Sequence, residues 1–349
     1  MCKLKREKTR VLLVCERSGG HIFPAFALGK KIKETRACCQ VYFFATSSFL
    51  KGYLEKEGFV VVGRSFPFRN LFFESFFRLG EAVYLLLKLR PKKVIGFGGR
   101  DSFFLVFFSF LLFRDTVIYE PNIKLGKTNR ILSFFARKIL RGFKKGVRGR
   151  RVKVMGIPLR ENIKKIDKFK AKKILNFNDT PVILCMGGSQ GSTFLNRIFP
   201  KLVKSLGGDF QIIHLTGGKE YFSILELYNK IERKKFVKDF YYSMEILYSA
   251  ADLIISRAGA STLGEISYFG VPSILIPHPQ AGGHQKENAF YFKEKRAAFV
   301  FCEDSFSFEK FKDTAENLLF KSELREKMKE NTSNIRLGVS FEEFTTDWL

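Results

Sequence analysis

The 349-residue sequence has little of what metal-binding, disulfide-bonded and membrane-spanning proteins need. Its six cysteines form no C-x-x-C pair and have no metal-like spacing with the four histidines, which favours a reduced, cytosolic protein without a metal site. The longest apolar run, residues 103–113, falls well short of the ~20 residues that cross a bilayer, so we expect a buried helix there. The basic N-terminus leads into a short strand without the apolar core of a secretory signal, and we expect none.

Acidic residues are also scarce. The chain has 61 Lys and Arg against 34 Asp and Glu, a formal charge of +27, which favours phosphates, anionic lipid headgroups or nucleic acid as partners. The excess is concentrated between Asn122 and Gly156, which contains many basic residues and no acidic one. A solvated basic face is the alternative interpretation of that segment.

The length suits two α/β domains of about 150 residues each. Apolar runs followed by glycine turns or helical patterns recur in both halves, which predicts parallel, doubly wound sheets facing one another across a cleft. A lysine-rich segment after Gly156 places the domain boundary near Pro158. The predicted strands are 11–15, 41–45, 94–97, 117–119, 182–186, 211–215, 236–237, 252–256 and 273–276.

The segment from Asp252 to Ala289 combines two strand-to-helix turns with polar side chains. Arg257 precedes a Gly-Ala-Ser-Thr turn that includes Ala260 and Ser261, and the unpaired N–H groups of the helix that follows favour a bound phosphate. Glu265, about one turn into that helix, is placed to accept two hydrogen bonds from a ribose diol. An ordinary strand-to-helix connection is the alternative.

The second turn of this segment follows the strand that ends near Pro277 and carries His284, Gln285 and Asn288. Open α/β sheets bind ligands at the carboxyl ends of neighbouring parallel strands. The two turns together therefore predict a nucleotide-sugar site.

Three further glycine-rich turns follow predicted strands. The turn Ser18-Gly19-Gly20 precedes His21, a candidate general base, although a lone histidine is more often structural. The second turn is Gly98-Gly99-Arg100. The third contains Ser189, Gln190 and Gly191 and resembles a phosphate-binding turn most closely.

The segment Phe66 to Leu89 interleaves aromatic and basic side chains at helical spacing. Five of its phenylalanines, at positions 68, 72, 73, 76 and 77, are interleaved with Arg69, Arg78 and Lys88. This pattern predicts a helix resting on a membrane surface, with a core-packed helix as the alternative.

Six motifs, in order along nearly the whole chain, resemble the MurG glycosyltransferases of bacterial cell-wall synthesis. They are SGGHIFPA at 18–25, GFGG at 96–99, YEPN at 119–122 followed by GKTNRIL, GIPLR at 156–160, GGSQGSTFLNRIFP at 187–200, and RAGASTLGEI at 257–266 with HQKENA at 284–289.

The resemblance implies a GT-B fold: an acceptor- and lipid-binding Rossmann-like domain at 1–158, a UDP-sugar domain at 159–330, and a C-terminal helix at 331–349 that returns to the first domain. It implies inverting transfer of N-acetylglucosamine from UDP-N-acetylglucosamine to undecaprenyl-pyrophosphoryl-N-acetylmuramoyl-pentapeptide. It also implies a peripheral protein on the cytoplasmic face of the bacterial membrane, attracted to the anionic membrane surface. We expect no metal, since no D-x-D pair is placed for a divalent ion. We also expect no cofactor, and no nucleic acid partner, since no known RNA- or DNA-binding module is present.

Matching positions carry the family's roles onto this sequence. His21 is the candidate base, with Glu120 as its alternative, and Gly98, Gly99 and Arg100 fall on the acceptor side. Arg160 would assist the turn at 189–191 in binding the UDP phosphates. The complete donor set is Ser18, Gly19, Gly20, Asn122, Arg160, Ser189, Gln190, Gly191, Arg257, Ala260, Ser261, Glu265, His284, Gln285 and Asn288.

The sequence departs from the family pattern mainly on the acceptor side. Glu16 and Arg17 replace two glycines, Arg100 replaces a tyrosine, and Tyr119 replaces a histidine; Ile157 replaces an asparagine of the linker. A related transferase with another lipid acceptor, such as a diacylglycerol, therefore stays open. A basic nucleic-acid-binding protein is a second alternative, although it would not need Glu265 and Gln285.

Overall fold

The computed structural model describes residues 8–15, 19–46, 48–64, 71–188 and 190–347; the side chains of 19–21, 48–49, 71–74 and 101 are outside this description. These residues divide into two compact units. Unit 1 contains the described residues up to Arg160 and those from Phe341 onward, and unit 2 runs from Glu161 to Ser340.

Unit 1 is built on a seven-stranded parallel sheet with the order β3-β2-β1-β4-β5-β6-β7. Its strands are β1 (Thr9–Val14), β2 (Cys39–Phe44), β3 (Val60–Val62), β4 (Lys93–Gly96), β5 (Asp115–Glu120), β6 (Lys138–Arg141) and β7 (Val152–Val154), followed by the short β8 (Ile157–Pro158). Its helices are α1 (Gly19–Thr35), α2 (Ser48–Lys56), α3 (Leu71–Leu89), α4 (Arg100–Leu111) and α5 (Lys127–Leu132).

Unit 2 is built on a six-stranded parallel sheet with the order β11-β10-β9-β12-β13-β14. Its strands are β9 (Val182–Met186), β10 (Gln211–Leu215), β11 (Lys235–Lys238), β12 (Leu253–Ser256), β13 (Ser273–Leu275), β14 (Ala298–Val300) and the short β15 (Gly338–Val339). Its helices are α6 (Lys168–Ile174), α7 (Thr193–Ser205), α8 (Tyr221–Asn229), α9 (Met244–Ala250), α10 (Ala260–Phe269), α11 (His284–Glu294), α12 (Phe308–Phe320) and α13 (Ser322–Asn334).

Both sheets reverse their strand order at one place, and this reversal positions the candidate turns. In unit 1 β1 pairs with both β2 and β4, and Val14 stands opposite Gly96. In unit 2 β9 pairs with both β10 and β12, and Met186 stands opposite Ser256. The turns that leave these paired strand ends therefore begin side by side, at the position where doubly wound sheets bind ligands.

Burial on both faces explains why most strands read as continuous apolar runs. Leu12, Leu13 and Val14 of β1 are buried, as is every residue of β9. The α/β class and the two parallel sheets expected from the sequence are confirmed. The sequence missed β3, β6, β7 and β14, which are short or carry charged residues.

The expected C-terminal helix is wrong in its extent. Helix α13 ends at Asn334, and the described residues after it are not helical. The segment from Phe341 instead packs on α1: the Lys31 ammonium donates to the Phe341 carbonyl at 3.0 Å, and Arg36 donates to the Thr346 carbonyl at 3.1 Å. The chain therefore returns to unit 1 as an irregular segment that is neither helix nor β-strand.

Two expectations about the aromatic helices of unit 1 need correction. Arg78 of α3 is buried and pairs with Glu81 at 2.7 Å, so its charge does not face headgroups. The apolar run at 103–113 forms α4 as expected, but its end is not buried, and Phe113 is 97% exposed. No helix within the described ranges is long and apolar enough to cross a membrane.

Candidate functional site

The turn after β9 is a tight backbone loop. Gly191 has φ of +75°, and a Cβ there would lie 2.2 Å from the Thr216 carbonyl oxygen, so a side chain cannot be accommodated without backbone movement. Gly217 packs against Gly191 from the turn after β10. Ser192 ends the loop by accepting a hydrogen bond from the Leu195 N–H at 3.3 Å and so caps α7. Gln190 is exposed, and Ser189 is outside the described residues.

The turn after β12 is held by a buried cation. The Arg257 guanidinium donates to the Ile276 carbonyl at 3.1 Å and pairs with Glu303. Since Ile276 follows β13 and Glu303 follows β14, Arg257 ties together the ends of three neighbouring strands. Its geometry favours positioning of the turn, and its assignment to the donor stays a prediction. Ala260 and Ser261 follow as the first residues of α10.

Helix α11 supports the same turn through two amides. The Gln285 side-chain oxygen accepts hydrogen bonds from the Ala258 N–H at 3.2 Å and the His278 N–H at 2.9 Å. The Asn288 amide donates to the Ala258 carbonyl at 3.3 Å from a fully buried position. His284 is the first residue of α11 and is partly exposed. The structure thus joins Gln285 and Asn288 to the Arg257 turn, as the sequence implied, through backbone contacts.

Glu265 lies one turn into α10, where the sequence placed it. Its Oε2 atom accepts a hydrogen bond from the Tyr248 hydroxyl at 2.7 Å. Tyr248 lies on α9 and is buried. A carboxylate anchored on one side by a phenol is well suited to accept hydrogen bonds from a diol.

The other candidate carboxylate, Glu120 at the end of β5 in unit 1, is only 2% exposed and enclosed by donors. Its Oε1 atom accepts from the backbone and side-chain N–H groups of Asn122, at 3.1 and 3.0 Å. Its Oε2 atom accepts from the Gly126 N–H at 2.8 Å and the Asn129 amide at 3.0 Å. These four bonds shape the loop that carries Asn122, and Glu120 would have to release one of them to act as a base.

Arg141 completes the support of this loop. Its guanidinium donates to the Asn122 carbonyl at 3.3 Å and also to the Ile123 carbonyl. Burial lowers the pKa of Arg141, and the nearby Glu120 carboxylate partly opposes that shift. The sequence indicates Arg141 only as part of a basic segment.

The remaining unit 1 candidates lie at strand ends. Gly98 and Gly99 have φ of +93° and +86° and lead into α4, whose first residue is Arg100. The Arg160 guanidinium stacks 5.0 Å from the ring centre of Phe23 on α1. Gly19, Gly20 and His21 open α1; Ser18 and the His21 side chain are outside the described residues.

Two family models match this chain: the glycosyltransferase family 28 N-terminal domain over residues 11–141 and the C-terminal domain over residues 182–340. A curated relative from Caldanaerobacter subterraneus subsp. tengcongensis is 31% identical over 91% of this chain and 93% of its own length. Another, from Rickettsia bellii, is 31% identical over 93% of each. Both are called UDP-N-acetylglucosamine–N-acetylmuramyl-(pentapeptide) pyrophosphoryl-undecaprenol N-acetylglucosamine transferase. The chain belongs to the MurG family.

The crystal structure of Acinetobacter baumannii MurG agrees with this membership. It has a TM-score of 0.78 and 25% identity, covering 95% of this chain and 96% of that one. The GT-B fold expected from the motifs is therefore confirmed.

One departure from the MurG pattern lies in the interior. The Tyr119 side chain is fully buried, packs 5.5 Å from the Phe97 ring centre, and donates its hydroxyl to the Gly156 carbonyl at 2.9 Å. Burial raises the pKa of the Tyr119 hydroxyl well above its ordinary value, and the nearby charge of Glu120 raises this pKa further. Tyr119 therefore lies in the interior of unit 1, and its place on the acceptor side stays a prediction.

Unit 2 of this MurG-family chain also contains a buried polar network that the sequence did not indicate. The Asn196 amide donates to the Thr216 carbonyl at 3.0 Å and to Glu220 at 2.7 Å, which turns its oxygen towards His214 Nε2 at 3.2 Å. His214 Nδ1 then accepts from the Tyr228 hydroxyl at 3.0 Å. Burial lowers the pKa of His214 to about 3, so it is neutral at physiological pH.

Proposed function

We propose that this chain transfers N-acetylglucosamine from UDP-N-acetylglucosamine to undecaprenyl-pyrophosphoryl-N-acetylmuramoyl-pentapeptide, the last cytoplasmic glycosyl transfer in making the peptidoglycan precursor. The curated relatives that carry this activity in their names support the proposal over nearly the whole chain. Transfer to another lipid, such as a diacylglycerol, is the competing function.

The observation that carries the proposal is the arrangement of turns in unit 2. The turns after Met186 and Ser256 begin side by side and lead into α7 and α10, whose first N–H groups favour a diphosphate. Glu265 follows one turn later and suits a ribose diol. Gln190, Gly191, Ala260 and Ser261 are therefore proposed to contact the diphosphate, with Ser189 assigned by the family pattern.

The remaining donor contacts are proposed from the family pattern. His284 and Gln285 bind the transferred sugar, and the Gln285 nitrogen has no partner among the described residues while its oxygen holds the Arg257 turn. Asn288 is proposed to act indirectly, because its amide holds the Ala258 carbonyl in the Arg257 turn. In unit 1, Asn122 is assigned to the sugar, and Arg160 and the turn at Ser18 to the phosphates.

The reaction is proposed as one inverting displacement. The acceptor hydroxyl oxygen forms a bond to the anomeric carbon, the bond from that carbon to the UDP oxygen breaks, and UDP leaves with the bonding electrons. His21 takes the hydroxyl proton, while Glu120 positions the Asn122 loop. Helix N-termini and Arg160 stabilise charge on the leaving diphosphate.

Unit 1 is proposed to rest on an anionic membrane surface. Exposed apolar side chains occur on α3 and around the ends of α4 and α5: Phe76, Phe77, Leu87, Phe110, Phe113 and Phe134. Basic residues accompany them, and Lys88, Arg114 and Arg130 lie on the same helices or directly after them. Apolar rings with flanking cations suit the interface of a bilayer that contains anionic lipids. The cytoplasmic face of that membrane is proposed from the resemblance to the MurG family.

The test is transfer of labelled N-acetylglucosamine to the muramoyl-pentapeptide lipid in detergent, with UDP-glucose and diacylglycerol as competing donor and acceptor. Product on the muramoyl lipid alone supports the proposal. Donor binding with product only on diacylglycerol would overturn the acceptor. The variant His21→Ala should lower turnover more than donor affinity, and turnover near wild type would move the base role to Glu120 or to water.

A further inference from the structure

The Tyr248 hydroxyl donates a hydrogen bond to Glu265, the candidate ribose carboxylate. The donor and acceptor are 2.7 Å apart, a short distance typical of a charge-assisted bond. None of the six family motifs contains Tyr248, which lies on α9, before β12 and the turn it leads to.

The ring of Tyr248 is held rigidly. It is 1% exposed and stacks on Phe269 with ring centres 5.1 Å apart and an interplanar angle of 17°. Its hydroxyl also lies 3.7 Å from the sulfur of Met186, the last residue of β9. The Tyr248 hydroxyl is therefore fixed between Glu265 of α10 and Met186, which precedes the turn proposed to bind the diphosphate.

A carboxylate on a helix surface samples several rotamers, and restricting it to the one that a ligand requires lowers the binding affinity. Hydrogen bonding to a rigid buried phenol restricts the Glu265 side chain before the ligand arrives. Such preorganisation strengthens the interaction with the matching ligand and leaves other parts of the ligand unaffected.

We propose that Tyr248 is a positioning residue that orients Glu265 towards the 2′ and 3′ hydroxyls of the bound nucleotide and so selects ribose over a deoxygenated sugar. This inference rests on the proposed function of the same site. Tyr248 touches no reacting atom, and its effect falls on nucleotide binding.

The experiment compares UDP with 2′,3′-dideoxy-UDP by titration calorimetry in wild type and in Tyr248→Phe. We expect Tyr248→Phe to weaken UDP binding about five- to tenfold, because the ligand must then order the Glu265 side chain itself. Binding of dideoxy-UDP should stay at the wild-type value. In the transfer assay, KM for the donor should rise while kcat stays near wild type, because ground state and transition state share the ribose contact.

The matched control is Tyr228→Phe. Tyr228 is also a buried tyrosine of unit 2, and it gives its hydroxyl to His214 at 3.0 Å. This variant loses a comparable buried hydrogen bond and should keep the wild-type ratio of UDP to dideoxy-UDP affinity. In Glu265→Ala, adding Tyr248→Phe should cause no further loss of UDP affinity, because the two residues act as one unit.

A wild-type ratio in folded Tyr248→Phe would overturn the inference and leave the proposed function intact. Wild-type protein that binds no UDP, or binds both nucleotides equally, would instead count against the proposed function. If Tyr248→Phe does not fold, Phe269→Leu, which removes the stacking partner, should lower the ratio in the same direction. An unchanged ratio in a folded Phe269→Leu would then refute the inference.

Discussion

The two units share one strand order but use their glutamates differently. Glu120 in unit 1 is nearly inaccessible and receives four N–H donors from its own loop. Glu265 in unit 2 is partly exposed and is anchored by a phenol from another helix. The same topology therefore supplies two kinds of carboxylate, one that builds a loop and one that is placed for a ligand.

The largest expected effect is on stability, from Glu120→Ala. Removing this carboxylate leaves buried amides and the Arg141 guanidinium without their acceptor and counter-charge, which should cost about 3–5 kcal/mol in the free energy of unfolding. Chemical denaturation followed by circular dichroism measures it.

Glu265→Ala is the counterpart of that variant. It should cost less in the free energy of unfolding, about 1–2 kcal/mol, because the buried Tyr248 hydroxyl loses its acceptor. It should also lose about 1.5–3 kcal/mol of donor affinity, because hydrogen bonds from the ligand to a charged group disappear. Equal stability losses in the two variants would erase the contrast between the glutamates.

A second effect separates two glycines of the turn after β9. Gly191→Ala should destabilise unit 2 by about 3 kcal/mol, since the new methyl meets the Thr216 carbonyl and φ is positive. Gly188 has φ of +84° but nothing within 4 Å of a Cβ, so Gly188→Ala should cost only about 1 kcal/mol. Denaturation midpoints test the order; the reverse order would contradict the packing of Gly191 on Gly217.

Binding to membrane vesicles should also distinguish the two units, because only unit 1 is proposed to rest on the membrane. Phe134→Glu in unit 1 should weaken binding to phosphatidylglycerol vesicles by about 2 kcal/mol, the value of one buried aromatic ring. Phe222 in unit 2 is equally exposed, at 77%, and serves as the matched control. Sedimentation with vesicles measures both, and an equal loss for Phe222→Glu would show that unit 1 is not the membrane-facing unit.

The smallest expected effect is a loss of folding stability at acidic pH. Folding lowers the pKa of His214 from 6.5 to about 3, so between these values the unfolded chain binds a proton that the folded chain does not. The contribution of His214 is fully present above about pH 6.5 and falls by about 1.4 kcal/mol per pH unit below it. Urea midpoints at pH 7.5 and 5.5 should show this slope in wild type.

His214→Gln should flatten the slope, and His278→Gln should retain it because His278 is exposed. Identical slopes in wild type and His214→Gln would place the acid sensitivity elsewhere.

The sequence predicted the parts of the fold that are buried on both sides. Strands β1, β9 and β10 are largely apolar runs followed by glycine turns, and each was predicted within a few residues of its bounds. Strands β6 and β7 were hidden because Lys138, Arg141 and Lys153 punctuate them inside the basic segment. Their short length removed the periodicity on which the prediction depended, and β7 also lies at the edge of the sheet.

The candidate site was predictable where its residues lie on a single turn and on the helix that follows it. Gly191 and Glu265 were proposed from spacing alone, because a turn and the helix after it are continuous in sequence. Tyr248 and Glu303 had no local signal, since their contacts with Glu265 and Arg257 depend on the packing of separate elements. Burial of Tyr119 was equally invisible, because a motif position does not state which way its side chain points.

The attachment of the segment from Phe341 to α1 has a consequence for synthesis on the ribosome. Unit 2 is complete once Ser340 has emerged. Lys31 of unit 1 gains its partner only when Phe341 follows, and Thr35 and Arg36 gain theirs only when Thr346 follows. The unit that is translated first is therefore the one that finishes folding last, and a nascent chain stalled before Phe341 would display an uncovered face of α1.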